Sequence, residues 1–273
     1  MSSNQPECAC LSVVVPAYNE ERTLAAVIEK LVVIPHLLEV IIVDDCSTDR
    51  TQDIAKELSQ RFSCVRYLRC EKNSGKTAAL KLGFSATTGD IVIVQDADLE
   101  YDPSEIALVI DPILGGYADV VYGSRFIVRK AARVLYFYHF IANTILTFCS
   151  NLLTNVNMSD VETCYKAFRG EIIRNMRIVS SGFGFEIEVT AKVAKLKCPI
   201  YEVPISYYGR TYEQGKKIRT IDGVAALWYI LRFNLFTSVK DSFNCPPEKL
   251  ITDRYGETPS ASRSAAADVS DSR

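Results

Sequence analysis

The sequence has no strong excess of charge of either sign. Its 273 residues carry 31 basic and 33 acidic side chains, which gives a formal net charge of −2 at neutral pH. Binding to nucleic acid depends on many basic side chains that meet phosphates, so this balance gives no indication of a nucleic-acid partner. Any surface that binds phosphate must therefore be local.

Cysteine pairs with metal-binding spacing are also missing. None of the nine cysteines lies in a CxxC pair, which argues against a structural zinc site. The cysteine count is odd, and several lie in apolar runs, where a free thiol packs as a small hydrophobic group. We therefore expect a reducing compartment. The first ten residues lack the basic flank and apolar run of a signal peptide, so we interpret 1–10 as an N-terminal tail of a cytoplasmic protein.

Two common phosphate-binding signatures are absent. The first apolar run is followed by PAYNE, at residues 16–20, and not by GxGxxG, which disfavours a Rossmann dehydrogenase. Residues 73–76 (NSGK) lack the GxxxxGK[ST] spacing of a P-loop. Gly75 and Lys76 nevertheless stand at the start of a predicted helix, from which they can approach a nucleotide.

Short β-branched runs alternate with segments of helical periodicity in the first half of the chain. Strands are predicted at residues 11–16, 39–44, 63–68, 90–95 and 119–122, with helices at 20–33, 51–60, 75–86 and from 103 onward. This alternation predicts an α/β protein with a mostly parallel central sheet and helices on both faces. Ligands of such sheets bind beyond the carboxyl ends of the strands.

Polar or turn-forming residues follow four of the predicted strands. They are residues 16–20, Asp44-Asp45, Asp96-Ala97-Asp98 and Gly123-Ser124-Arg125. Because the carboxyl ends of parallel strands meet at one edge of the sheet, we expect these groups to form one site.

The candidate metal site is Asp96-Ala97-Asp98, after the apolar run IVIVQ. Two carboxylates in a turn supply the hard oxygen ligands that suit Mg²⁺ or Mn²⁺, and such a metal commonly completes its shell with substrate phosphates. Glu100 can supply a further oxygen. The competing interpretation is a solvated turn that caps the next helix.

Other strand-end residues have two interpretations each. Asp45 can accept hydrogen bonds from a base or ribose, whereas its neighbours at 47–49 can cap the helix near residue 51. Arg125 can bind phosphate oxygens or can be an ordinary surface arginine. The basic stretch 208–217, with Arg210 and Lys216, is either a mobile lid over a diphosphate or a solvated loop.

The second half contains a long uncharged segment. Residues 134–156 include no Asp, Glu, Lys or Arg, but they include several polar side chains. A buried or half-buried helix, a helix on a membrane surface and a membrane span are all compatible with this pattern. The basic residues Arg129, Lys130 and Arg133 just before it favour an interfacial position over a plain core helix. Further helices are predicted at 183–196 and 221–239, and a strand at 200–207.

Several ordered motifs carry a resemblance to a known family. The segments are VVVPAYNEE, IIVDDCSTDRT, NSGKTAAL, GDIVIVQDADLEYDP and YGSR. They occur in the order seen in inverting family 2 glycosyltransferases, which have the GT-A fold. The later segments DVETCYKAFR, FGFEIEVTAKV and VPISYYGRTYEQGKKI resemble the branch that contains dolichyl- or polyprenyl-phosphate mannose and glucose synthases. The resemblance spans about residues 10 to 236.

The resemblance implies a function and a set of donor-site residues. The expected reaction is metal-dependent transfer of a hexose from a GDP- or UDP-linked sugar to a polyprenyl or dolichyl phosphate at a membrane surface. The metal would be Mg²⁺ or Mn²⁺, held by Asp96, Asp98 and Glu100. The remaining donor-binding residues would be Pro16, Tyr18, Glu20, Asp45, Lys76, Ala97, Arg210 and Lys216.

The residues expected at the reacting sugar and phosphate are Asp98, Arg125, Asp160 and Glu162. A lipid phosphate is already an anion and needs no general base, whereas a hydroxyl acceptor requires a carboxylate that removes its proton. Asp160, Glu162 and Glu188 are the candidates for that role. A saccharide or lipid-linked oligosaccharide acceptor and a non-catalytic GT-A scaffold are the alternatives. Retention of both Asp96 and Asp98 together with Arg125 argues against the scaffold.

The sequence also departs from the family pattern. Cys46 replaces a common glycine after the paired aspartates, and the aromatic run at 136–139 differs from the mannosyl synthases, so the sugar and acceptor stay open. The C-terminal transmembrane pairs of some relatives are absent. We therefore expect a peripheral protein on the cytoplasmic face of a membrane, with a membrane-anchoring partner subunit as one possibility.

The expected domain organisation is simple. One GT-A domain would span 11–240, with a donor half at 11–125 and an acceptor half with interfacial helices at 126–240. The Ser- and Ala-rich residues 245–273 would form a disordered tail.

Overall fold

The computed structural model describes residues 8–127, 136–182, 184–209 and 220–251. Its central sheet has seven strands in the order β3-β2-β1-β4-β6-β5-β7. The strands are β1 (Leu11–Ala17), β2 (Leu37–Asp44), β3 (Val65–Arg69), β4 (Ile91–Val94), β5 (Val120–Ser124), β6 (Lys166–Arg169) and β7 (Ile200–Pro204). Strand β6 runs antiparallel to β4 and β5, and the other neighbouring pairs are parallel. The predicted α/β class with a mostly parallel sheet is confirmed.

Nine α-helices occur in the described part of the chain. They are α1 (Leu24–Leu31), α2 (Thr51–Arg61), α3 (Lys76–Ala86), α4 (Ile106–Leu114), α5 (Phe137–Thr154), α6 (Gly170–Asn175), α7 (Phe185–Leu196), α8 (Thr220–Leu235) and α9 (Val239–Ser242). Short 3-10 turns lie at Pro103–Glu105 and Pro247–Lys249.

Burial on both faces explains the continuous apolar runs of the central strands. Val14 of β1 pairs with Ile41 of β2 on one side and with Val94 of β4 on the other, and all three are fully buried. A strand covered on both faces has no reason to alternate apolar with polar residues. Polar groups are consequently displaced to the strand ends.

Strand β6 has no counterpart among the predicted strands. It has only four residues and begins with Lys166, which is fully buried. The ammonium of Lys166 donates to the carbonyl oxygens of Val161 and Thr163 and lies over the ring of Tyr122. Because these nearby groups satisfy the hydrogen bonds of the buried ammonium, a short strand that begins with a charged residue can lie between β4 and β5. The antiparallel pairing of β6 with β4 places the residues before β6 at the carboxyl end of β4.

The uncharged segment forms α5, which is covered on one side only. The structure describes every residue of α5, and only Thr147 and Ser150 are buried. An apolar stripe faces outward, in which Phe148 is 66% and Leu152 is 70% exposed. The helix is therefore half-buried, which excludes the plain core helix. Among the described residues, no helix combines the length and apolar character needed to cross a bilayer.

Helix α8 packs against α5 and has a similar outward stripe. Its exposed apolar residues include Val224, Trp228, Leu231 and Leu235. These fall at helical spacing, so they share one face of α8. The two helices thus present exposed apolar side chains that nothing in the described chain covers. The basic residues Arg129, Lys130 and Arg133 lie outside the described residues.

The folded chain extends past both predicted domain boundaries. Cys10, assigned to the N-terminal tail, donates its N–H to the carbonyl of His36 at 3.0 Å. Phe243 is buried and bridges to Met176. Leu250 is also buried, and Arg169 donates to its carbonyl. The chain is therefore still anchored to the body of the protein at Leu250, beyond the predicted start of the tail at 245, and residues 252–273 lie outside the described part.

Helix α3 depends on a glycine for its close approach to the sheet. A Cβ at Gly83 would lie 2.3 Å from Cγ1 of Val14 and 3.2 Å from Cγ2 of Val43. We expect Gly83→Ala to lower the free energy of unfolding by about 1–3 kcal/mol, the usual effect of overpacking a core. Chemical denaturation followed by circular dichroism measures this change.

The matched control is Gly223→Ala in α8, where a Cβ would meet nothing within 4 Å. This variant should be neutral or more stable by up to about 1 kcal/mol, because alanine favours the helix. Equal stability changes in the two variants would contradict the close packing of α3 on β1.

Candidate functional site

The order of the strands places a crevice at the carboxyl ends of β1 and β4. The chain adds β2 and β3 on one side of β1 and β4 on the other, so the strand order reverses between β1 and β4. Such a reversal directs the flanking loops apart and leaves room for a ligand between them. The predicted site residues after β1, β2 and β4 all lie at this edge.

Hydrogen bonds join the loops after β1 and β2. Asn19 donates its N–H to Oγ of Ser47 at 3.0 Å, and Oδ1 of Asn19 accepts the N–H of Thr48 at 2.9 Å. The N–H of Glu20 donates to Oγ1 of Thr51 at 2.8 Å. The predicted base and ribose residues Pro16, Tyr18 and Glu20 therefore lie on a braced surface, and all three are partly accessible.

The carboxylate of Asp45 holds the loop that precedes α3. It accepts the N–H of Ser74 at 2.9 Å and the N–H of Gly75 at 2.7 Å, and Asp45 is only 3% exposed. The structure thus gives Asp45 a bracing role that the motif did not suggest. Its contact with a base or ribose stays a prediction.

Left-handed backbone occurs in each of these loops. Asn19, Cys46 and Leu99 have φ angles of 54°, 62° and 61°. Asparagine tolerates this conformation, whereas a residue such as leucine loses roughly 1–2 kcal/mol there. The angle at Cys46 is one that glycine adopts without strain, which agrees with the glycine that the family pattern has there. The strain at Leu99 lies directly after Asp98, at the centre of the candidate metal site.

The ammonium of Lys76 lies between two carboxylates. Its Nζ is 3.0 Å from Oδ1 and 3.3 Å from Oδ2 of Asp96, and 3.2 Å from Oε1 of Glu186. Burial disfavours the charged lysine, but the neighbouring carboxylates, Asp96 foremost, outweigh it and raise the pKa of Lys76 well above its usual range. Lys76 is therefore charged, and its ammonium is the cation that the carboxylate of Asp96 contacts in this structure.

Glu186 is a site residue that the sequence analysis missed. It lies in the first turn of α7 and is 5% exposed. Glu188, two residues further along the same motif, was instead predicted as a candidate general base. Helical periodicity alone could not show which of the two glutamates contacts Lys76.

Glu100 joins the loop of the candidate metal site to the segment after β7. Oδ1 of Asp98 accepts the N–H of Glu100 at 3.1 Å. Tyr207 donates its hydroxyl to Oε2 of Glu100 at 2.8 Å, and Tyr208 donates its N–H to the carbonyl of Glu100 at 2.8 Å. Ala97 is buried between the two aspartates. The loop is thus held in place by residues that follow β7.

Arg125 forms a forked ion pair with Asp160. Its Nε lies 2.7 Å from Oδ2 and its terminal nitrogen 2.8 Å from Oδ1 of the carboxylate. Asn143 of α5 accepts a further bond at 3.1 Å, and the guanidinium lies over the ring of Tyr207. Bidentate pairs of this kind are geometrically specific. The structure therefore brings together Arg125 and Asp160, which are distant in sequence, next to helix α5.

Glu202 positions this ion pair from β7. Its carboxylate accepts the N–H of Ser159 at 3.0 Å and the N–H of Asp160 at 3.3 Å. Glu202 thereby holds the turn that carries Asp160. The sequence pattern marks Glu202 only as one residue of a strand, so this role required the structure.

The three carboxylates considered as general bases differ in their surroundings. Asp160 is committed to Arg125. Glu188 is fully buried, pairs with Lys192 at 2.5 Å and accepts the N–H groups of Val179 and Ser180, so it is structural. Glu162 has an Oε1 that is buried with no hydrogen-bond partner among the described groups. Burial, reinforced by the charge of Glu186, raises the pKa of Glu162 to about 7.

The donor set fits a hard divalent cation held with the help of phosphate. Among the described residues, no group of three or more His, Cys, Asp or Glu side chains is preassembled around a metal position. Asp96 and Asp98 supply carboxylate oxygens, and Asp96 already holds the ammonium of Lys76. Mg²⁺ and Mn²⁺ are bound by one or two carboxylates together with substrate phosphates, which matches this arrangement. Arg210 and Lys216 lie outside the described residues.

Comparison with known protein families decides the classification. The model of glycosyl transferase family 2 matches residues 12–177, which is more than half of the chain. The chain belongs to glycosyl transferase family 2. The match begins in β1 and ends just beyond α6, so it includes the loops after β1, β2, β4 and β5. The recognition made from the ordered motifs is confirmed.

Curated proteins resemble this chain over 61–82% of its length. A dolichol-phosphate mannosyltransferase of Pyrococcus furiosus is 29% identical over 210 residues, which cover 76% of this chain and 58% of that protein. A dodecaprenyl-phosphate galacturonate synthase of Rhizobium johnstonii is 27% identical, with 82% and 68% covered. An undecaprenyl-phosphate 4-deoxy-4-formamido-L-arabinose transferase of Serratia proteamaculans is 33% identical, with 61% and 51% covered. The chain thus spans about half to two thirds of the length of these relatives.

Solved structures share the fold of this family 2 chain. A glucosyl-3-phosphoglycerate synthase of Mycobacterium tuberculosis in complex with UDP superposes with a TM-score of 0.65 at 21% identity, covering 82% of this chain and 80% of that one. The same enzyme with Mn²⁺, UDP and glucosyl-3-phosphoglycerate superposes with a TM-score of 0.61 at 22% identity, covering 83% and 80%. The GT-A fold expected from the motifs is confirmed.

The raised pKa of Glu162 predicts a pH-dependent contribution to stability. The folded chain keeps the proton up to about pH 7, whereas the ordinary value is 4.5, so the folded state binds more protons between these values. The contribution of Glu162 to stability is therefore complete below about pH 4.5 and is lost as the pH rises through 7. Glu162→Gln removes this loss. We expect the variant to gain on the order of 1–3 kcal/mol relative to the wild type between pH 5 and pH 8.

Denaturant titrations at the two pH values measure this difference. Glu57→Gln, on the exposed face of α2, is the matched control for removal of a carboxylate. A constant difference between Glu162→Gln and the wild type across the pH range would show that Glu162 titrates as an exposed group does.

Proposed function

We propose that the chain transfers a hexose from a nucleoside-diphosphate sugar to the phosphate of a polyprenyl lipid at a membrane surface, with Mg²⁺ or Mn²⁺. The observation that supports this most directly is the position of Arg125, which follows β5 at the same edge of the sheet as Asp96 and donates to Asn143 of the half-exposed helix α5. The names of the curated relatives point to the same class of acceptor.

The donor end of the site follows from the β4 loop. Asp96 and Asp98 would hold the metal, which would supply positive charge to the diphosphate and stabilise it as a leaving group. The braced loops after β1 and β2 would receive the base and ribose, with Pro16, Tyr18 and Glu20 on their accessible surface. Solved structures of the same fold contain UDP with Mn²⁺ or with Mg²⁺, which supports a nucleotide and a divalent cation as ligands of the chain.

The acceptor end follows from Arg125. Its side chain is 13% exposed, and its guanidinium is held by Asp160, Asn143 and Tyr207. A planar guanidinium matches phosphate oxygens well, and its fixed orientation reduces the entropy lost on binding. A lipid phosphate bound here is already an anionic nucleophile. The transfer therefore needs no general base, which agrees with the commitment of Asp160 to an ion pair.

The apolar faces of α5 and α8 would place this acceptor end against a membrane. Exposed aromatic and aliphatic side chains on amphipathic helices insert into the headgroup region, and neighbouring basic residues add attraction to anionic lipids. The sequence carries Arg129, Lys130 and Arg133 just ahead of α5. We place the protein on the cytoplasmic face, where nucleotide sugars are made.

A hydroxyl acceptor on a saccharide is the second candidate function. The observation that favours it is Glu162, whose pKa of about 7 suits a general base at physiological pH. Its unpartnered Oε1 could accept a proton from an attacking hydroxyl. The two candidates share the donor site and differ in the acceptor and in the need for Glu162 as a general base.

Asp98→Asn should abolish metal-dependent transfer. The variant removes one of two metal carboxylates, so we expect a loss of at least about a hundredfold in rate. The assay incubates the protein and Mg²⁺ or Mn²⁺ with a panel of labelled GDP- and UDP-sugars and polyprenyl phosphate in detergent, and it counts label in the organic phase. Asp111→Asn, on the exposed side of α4, is the matched control.

The outcomes separate the candidates. Label in the organic phase that Asp98→Asn removes supports the lipid-phosphate acceptor. Metal-dependent donor binding without such label moves the acceptor to a saccharide, and transfer to that acceptor should then require Glu162. Neither donor binding nor transfer across the panel would leave only a non-catalytic scaffold.

Charges placed on α5 should weaken membrane binding. Phe148→Glu combined with Leu152→Glu puts two carboxylates on the exposed stripe, and we expect at least about a tenfold loss of affinity for vesicles of phosphatidylcholine and phosphatidylglycerol. Flotation in a density gradient measures the bound fraction. Val33→Glu, at a 79% exposed apolar residue after α1, is the control. Equal vesicle binding by the double variant and the wild type would show that this face of α5 is not the membrane contact.

A further inference from the structure

The position of Lys76 raises a question about how a cation reaches Asp96. Lys76 contacts both oxygens of Asp96, and its side chain is 17% exposed. A divalent cation on the same carboxylate would lie within a few ångströms of this ammonium. Two positive groups at such a short distance repel each other strongly where water is scarce. The ammonium and the divalent cation therefore cannot bind the carboxylate of Asp96 at the same time.

The backbone beneath Lys76 is pinned, so only the tip of its side chain can respond. Thr77 donates its hydroxyl to the carbonyl of Gly182 at 2.9 Å. A Cβ at Gly75 would lie 3.3 Å from the Cα of Gly182, so the two glycine segments touch. Together with the bonds from Asp45, these contacts fix the start of α3 against the loop before α7. Lys76 and Glu186 are therefore held at constant spacing by their backbones.

Glu186 has spare capacity for the ammonium. One oxygen, Oε1, already lies 3.2 Å from Nζ of Lys76. The other, Oε2, is buried and has no hydrogen-bond partner among the described groups. A buried carboxylate oxygen without a partner is costly and is normally paired. A small rotation of the lysine tip away from Asp96 would bring the ammonium fully onto Glu186.

We infer that Lys76 is an exchangeable counterion of the metal site and that Glu186 is a positioning residue, which receives the ammonium when a divalent cation binds Asp96. The inference rests on the metal dependence in the proposed function. Without donor, Lys76 neutralises Asp96 and competes with the metal. With donor, the diphosphate adds negative charge to the site, so metal and nucleotide bind with positive coupling.

The experiment measures Mn²⁺ binding to the full chain without any turnover. The electron paramagnetic resonance signal of free Mn²⁺ gives the dissociation constant with and without UDP. The variants are Lys76→Met, Glu186→Gln and the double variant, with Lys81→Met on the exposed side of α3 as the matched control. Asp98→Asn reports whether the bound Mn²⁺ occupies the predicted site. Thermal unfolding confirms that each variant is folded. If Lys76→Met does not fold, Lys76→Gln replaces it in the binding measurement.

The expected pattern is specific. In the absence of UDP, Lys76→Met should bind Mn²⁺ about tenfold tighter than the wild type, because the competitor is gone; this corresponds to ~1.4 kcal/mol. Glu186→Gln should bind more weakly than the wild type, because the displaced ammonium has lost its carboxylate. The double variant should match Lys76→Met. UDP should strengthen Mn²⁺ binding more in the wild type than in Lys76→Met.

Three results would overturn the inference, and they are distinguishable from failure of the proposed function. If Asp98→Asn removes Mn²⁺ binding but Lys76→Met leaves it unchanged, the site binds metal and Lys76 is not its competitor. If Glu186→Gln weakens binding equally with and without Lys76→Met, Glu186 acts only through its field. If Lys81→Met tightens binding as much as Lys76→Met, the effect is general charge. Absence of Mn²⁺ binding even with UDP overturns both the inference and the metal in the proposed function.

Discussion

Burial of the central strands on both faces is the constraint on which the rest of the structure depends. Strands β1, β2 and β4 lie in the middle of the sheet and are covered by helices, so no polar side chain can be placed along most of their length without a partner. The carboxyl ends are where this restriction is lifted. The loops there carry Asp45, Asp96 and Asp98, and the reversal of strand order opens the space between them.

Because the surroundings are apolar, the charged side chains Lys76 and Arg125 are each stabilised by neighbouring carboxylates. Lys76 is charged because Asp96 and Glu186 surround it, and Arg125 is held rigid because Asp160 accepts bonds from two of its five N–H donors and Asn143 accepts a third. Breaking such pairs is expensive, since the remaining charge is left buried. Two buried carboxylate oxygens, Oε1 of Glu162 and Oε2 of Glu186, have no hydrogen-bond partner among the described groups. A substrate group or a rearranged side chain can therefore bind to them.

Helix α5 connects the polar site to the apolar surface. Its Asn143 accepts a bond from Arg125, while Phe148 and Leu152 on the same helix face outward. One element thus joins the guanidinium of Arg125 to an exposed apolar surface. This continuity is a physical reason to favour an acceptor that is both anionic and lipid-anchored.

Strand positions, the sheet type and the strand-end motifs could be predicted from the sequence, because they depend on local periodicity and on residues close together along the chain. Motif order was also sufficient for the family and the GT-A fold. Strand β6 could not be predicted, since four residues that begin with a buried lysine form a strand only when β4 and β5 lie on either side. The partnership of Lys76 with Glu186, that of Arg125 with Asp160, and the outward stripes of α5 and α8 were likewise decided by tertiary structure. Each of these depends on contacts between distant segments, and such contacts exist only once the sheet has brought the segments together.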